Sequence, residues 1–185
     1  MGLDSARPRS GDAWMQSAET VPAGGSAAAC LRDNARTMLI QPSQADVRRF
    51  FCGVHAKQHS GAPMEPIETL AALWIAEHPE YHAALADVDA ALAAMRDADP
   101  ARENPFLHLS MHVSISEQCS IDQPRGIRQA VELLAARRGD LHAAHHEVMD
   151  CLGRMIWESQ RAGRMPDGAA YIDCVQRRAT QDGAP

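Results

Sequence analysis

Nine histidines stand in a chain of 185 residues, and their spacing is regular. His78 and His82 are four apart, as are His108 and His112, and again His142 and His146; His145 lies three beyond His142. Residues at i and i+4 share one helix face, with β-carbons about 5–6 Å apart. Two imidazoles so placed can converge on one ion, which makes a transition-metal site between helices the chemistry to expect. Neutral imidazole suits zinc, iron, nickel or copper, and added carboxylates shift the choice towards iron or manganese. His108 and His112 supply one pair. The other is His142 with either His145 or His146, and Glu68, His78, His82 and Asp150 are weaker candidates to complete the set.

The elements that must position these residues read as helices throughout. Ser43 and Asp46 form a capping box for a helix carrying Val47, Phe50, Phe51 and Val54, which ends near Gly61-Ala62-Pro63. A second helix opens at Pro66 and breaks at His78-Pro79, because the residue before proline avoids the α region. Pro79 starts a third, with a buried stripe of Tyr81, Leu85, Val88, Leu92 and Met95, closed at Asp99-Pro100. Asn104-Pro105 pairs an N-cap with proline at the first helical position and opens a fourth, to about Cys119. A turn at Asp122–Gly126 leads to a helix over Ile127–Arg138. Gly139-Asp140 caps a long helix to about Ala162, and a last short one covers Ala169–Arg177. No segment reads as a strand.

Helical-wheel arithmetic at roughly 100° per residue sharpens the histidine reading. On the fourth helix Ser110, Ser114 and Glu117 form the polar side, with His108, His112, Ile115 and Cys119 opposite and most other positions apolar. A helix apolar nearly all round is central in its domain, so His108 and His112 point inward, where each ring needs a partner. A metal, a buried carboxylate or a backbone carbonyl would serve. On the long helix Val148, Leu152 and Met155 mark the core face, flanked by Met149 and Ile156. His145 falls near the middle of that face, His142 at its edge and His146 further out. The wheel leaves open which of His145 and His146 turns inward. The remaining polar residues read as surface: His55 and His59 at a rim, Glu158 paired with Arg154 or Arg161, and Arg125, Arg128, Arg137 and Arg138 as a solvated basic face.

Composition limits what the site can serve. Hydrophobic residues make up 45 % and charged residues 23 %, enough for a packed core. Aromatics are 4 % against 33 alanines, which favours closely packed helices over a β-sandwich. The net charge of −6 argues against nucleic acid or an anionic membrane as partner, and leaves a small molecule or a protein, a second copy included. Five scattered cysteines without a CxxC pair suit a reduced cytoplasm rather than a disulfide framework. No apolar stretch approaches the roughly 20 residues of a membrane span, and no signal peptide is evident. Walker, GxG and GxSxG patterns are absent, so no nucleotide cofactor is expected. Residues 1–41 read as a disordered or mis-assigned extension, with Met38 an alternative start. Residues 42–178 read as one all-helical domain, a compact bundle of five to six helices, and 179–185 as a flexible tail.

The run Asn104 to His112, then Glu117-Gln118, then Asp122 to Ile127, closely resembles a bacterial family known as a domain of unknown function (number 1841). His142 through Leu152, Trp157 to Arg161, Pro66-Ile67-Glu68 and His78 to His82 are similar to that family's other motifs. The resemblance runs from about 38 to about 175. It implies that the long-helix pair is His142 and His146, and that glutamate is usual where this chain has Asp150. It implies no activity. The expectation is therefore a metal-binding helical protein, with iron or zinc first and manganese next, and with catalysis open. The alternative is a metal-free interaction or scaffold protein whose histidines form a buried hydrogen-bonded or pH-responsive network.

Overall fold

The computed structural model describes residues 42–96 and 103–180. The extension expected over 1–41, the start at Met38, the loop at Asp99-Pro100 and the end of the tail lie outside the described residues. Those described are all-helical: eight α-helices and one 3-10 turn, with no strand among them. They fall into two compact units, 42–96 and 103–180.

In the first unit, α1 (Gln44–Ser60) begins with the expected capping box. Ser43 Oγ accepts from the Asp46 amide, and the Asp46 carboxylate accepts from the Ser43 amide. Gly61 ends the helix in the left-handed conformation, at φ 68°, that glycine adopts without strain. Helix α2 (Pro66–Glu77) buries Ala71, Ala72, Trp74 and Ile75 and stops at His78. The single third helix expected next is three pieces: a 3-10 turn (Pro79–Tyr81), α3 (His82–Leu85) and α4 (Val88–Ala93). The break has a local cause. Asp87 is extended, at φ −135° and ψ 112°, and its side chain accepts from the Asp89 and Ala90 amides, so it restarts the helix as a new N-cap. This division adds one helix, and the described residues hold eight where five to six were expected. His55, expected at the rim, is buried between α1 and its neighbours, with rings 4.3 Å from His59 and 5.2 Å from His82.

The second unit holds α5 (Pro105–Ile121), α6 (Ile127–Arg138), α7 (Leu141–Ala162) and α8 (Gly168–Thr180). Asn104 Oδ1 accepts from the Phe106 and Leu107 amides, and Asp140 accepts from those of His142 and Ala143, as the sequence leads one to expect. Met111 and Ile115 of α5 join one core with Ile127, Val131 and Leu134 of α6, Val148 and Leu152 of α7, and Tyr171 and Val175 of α8. Each fully buried side chain of this size contributes about 1.5–3 kcal/mol. Ile156 is 37 % exposed, not a core residue. Glu158 pairs with neither nearby arginine; Arg161 lies over the Trp157 ring, 5.1 Å from its centroid.

The cysteines depart from expectation. Cys151 of α7 and Cys174 of α8 are joined by a disulfide, with Cα atoms 5.8 Å apart. Cys52 and Cys119 are free. Spacing along the chain gave no sign of this pair, because it depends on which faces of two helices meet.

Candidate metal centre

Helix α5 brings His108 and His112 to one face, and α7 lays three histidines against them. His108 Nε2 is 3.1 Å from His146 Nε2, and His112 Nδ1 is 3.3 Å from His145 Nδ1. His142 lies beside the group, with its ring 5.3 Å from His112 and 4.5 Å from His146, but it is not among the residues whose ligand nitrogens lie within 4.8 Å of one another. One ligand nitrogen from each of His108, His112 and His146 lies within 4.8 Å of the others. Two nitrogens held about 2.1 Å from a tetrahedral ion would be about 3.4 Å apart, so the rings stand near ligating separation.

Burial differs from ring to ring across the site. His112 is 0 % and His145 3 % exposed, whereas His146 is exposed and His142 half-buried. Burial, reinforced by His142 and His146, pushes His145 down to about 4. A neutral imidazole keeps one lone pair, which is what a metal or a donor needs.

The second polar partner lies outside the helices. Glu103, just before the Asn104 cap, places Oε1 3.0 Å from His108 Nδ1. A carboxylate can only accept there, so Nδ1–H donates to Glu103, and in the neutral ring this tautomer leaves the Nε2 lone pair facing His146. The sequence reading missed Glu103, because it precedes the helix and belongs to no i, i+4 pattern. Its signal was a carboxylate five residues before an inward histidine.

The other expected residues have partners of their own. Asp150 Oδ2 accepts from Arg178 at 3.0 Å. In the first unit, Glu68 binds Lys57 Nζ at 2.6 Å and accepts from the Glu65 amide at 2.9 Å. The Lys57 hydrogen bond holds its carboxyl below the usual range. His82 Nε2 donates to the Ile75 carbonyl at 3.0 Å. His78, buried at the end of α2, donates from Nδ1 to Glu80 at 2.7 Å and stacks on Tyr81. Both His145 and His146 turn towards α5, so the alternative left open by the wheel resolves into two neighbours of different rings.

Fold and site together define an all-helical protein with a histidine cluster between two of its helices. The family model described as a domain of unknown function, DUF1841, matches residues 43–177, and the chain belongs to that family. No curated protein and no solved structure matches it.

Proposed function

We propose that the protein binds a transition-metal ion through His108 and His112 of α5 and His142 and His146 of α7. The observation that supports this best is the Glu103–His108 contact at 3.0 Å. A carboxylate on the far nitrogen of an inward imidazole is the usual support of a metal-ligating histidine, since it fixes the tautomer and raises ligand basicity. His145 takes the equivalent place behind His112, at 3.3 Å. Iron or zinc suits a set dominated by imidazole, and manganese follows if a carboxylate joins it. Asp150 is kept as an outer candidate, requiring exchange of its present partner Arg178. An ion with an open position would activate water or oxygen for a small-molecule substrate.

The buried contact between His112 and His145 also favours the second reading, a metal-free hydrogen-bonded network. Elemental analysis of untagged protein, purified without chelator, separates the two. Near-stoichiometric metal that disappears in the His108→Ala/His142→Ala variant supports the centre. Absence of metal after anaerobic reconstitution with iron, zinc and manganese ends the metal reading in favour of the network.

A further inference from the structure

At the other end of α7 from the histidines, a cleft of about 520 Å³ opens between the last turns of α7, the connection 163–167 and one side of α8 from Gly168 to Arg177. Its volume falls in the range of sites for small organic ligands, about 300–1,000 Å³. Three guanidinium groups line it: Arg154 from α7, Arg164 from the connection and Arg177 from α8. None of the three has a carboxylate partner among the described residues. Two carboxylates also line the cleft, Glu158 and Asp167, but Asp167 is occupied as the cap of α8, accepting from the Ala170 amide at 3.0 Å. The balance is cationic in a chain whose net charge is −6. Met155, Met165 and Pro166 add apolar wall.

The cleft is also held in shape. Cys151 and Cys174, which line it, tie α7 to α8 covalently, and the Arg164 amide donates to the Ser159 carbonyl at 3.1 Å, pinning the connection. A site ordered before binding loses less entropy when its ligand arrives.

We propose that this cleft binds a small organic acid carrying two or more negative charges, its carboxylates held by Arg154, Arg164 and Arg177 and its carbon skeleton by the methionine and proline wall. The site is separate from the histidine cluster and stands without it. Charge-assisted hydrogen bonds to guanidinium are the strong, directional ones that select carboxylates.

Isothermal titration with citrate, succinate and inorganic phosphate tests the assignment on the full-length protein. Citrate binding should weaken at least tenfold in Arg164→Gln/Arg177→Gln, given that each charge-assisted hydrogen bond is worth about a factor of ten or more. Both side chains are exposed and unpaired, so the variant should melt with the wild type. Citrate binding should persist in His146→Ala, which separates this site from the metal centre. No citrate binding, or citrate binding indifferent to the two arginines, would overturn the proposal, as would phosphate binding with no affinity for either organic acid.

Discussion

Reducing the Cys151–Cys174 bond should cost the second unit about 3 kcal/mol, and the figure can be worked from the chain. The bond closes a loop with a sequence separation of 23. Opening it returns loop-closure entropy to the unfolded chain, which for a loop of this size amounts to about 3 kcal/mol at 25 °C. For a unit of this length each kcal/mol moves the melting midpoint by roughly 4–8 °C, so reduction should lower it by roughly 12–24 °C. Both cysteines are buried, at 1 % and 7 % exposure, so reductant should act slowly on the folded protein. The comparison therefore requires reduction in denaturant, refolding with reductant present, and circular dichroism melts of both forms. Thiol titration in denaturant should find two more thiols after reduction than before. If those thiols appear and the midpoint does not move, the chain-entropy reasoning fails; if they do not appear, the pairing itself is wrong. The histidines at 142–146 precede Cys151 and lie outside the closed loop, so bound metal should survive reduction.

Three further outcomes are expected. Glu103→Gln should weaken metal affinity about 10–100-fold, with the helical circular dichroism spectrum unchanged, as loss of a partner behind a ligand does; a chelator-competition titration reads it. Tyr171→Phe should leave stability unchanged or raise it slightly, since the buried Tyr171 hydroxyl has no partner in the structure and its removal costs nothing in hydrogen bonding; urea midpoints decide, and a loss above about 1 kcal/mol would show that the hydroxyl is bonded after all. Glu68 is ionised more readily folded than unfolded, so its contribution is present in full above its ordinary value of 4.5 and fades as pH falls through the lower folded value. Glu68→Gln should therefore lower the urea midpoint at neutral pH, and the gap from wild type should close in strong acid.

What could be read in advance was local. Ser43 with Asp46, Asn104 with Pro105, and Asp140 each signal a helix start within four residues of chain, and each forms the cap expected. Asp87 carried the same signal, but the apolar stripe from Tyr81 to Leu92 continues past it and masked the break. The histidine spacing fixed which rings share a helix face. It did not fix how α5 lies against α7, and only that placement lets the adjacent His145 and His146 both reach α5, one to each of its rings. Glu103 and the Cys151–Cys174 pair were hidden for the same reason. Their partners are set by tertiary packing, on which periodicity is silent.

The imidazole row runs from the fully buried His112, past the half-buried His142, to the exposed His146. Water meets one end of it and not the other. The burial gradient makes the His146 end the side from which an ion held by the row, as proposed, would exchange with water. Such a blind passage slows arrival and departure alike without changing the balance between them. An ion held by the inner rings, as proposed, should therefore stay for longer than its affinity alone would suggest.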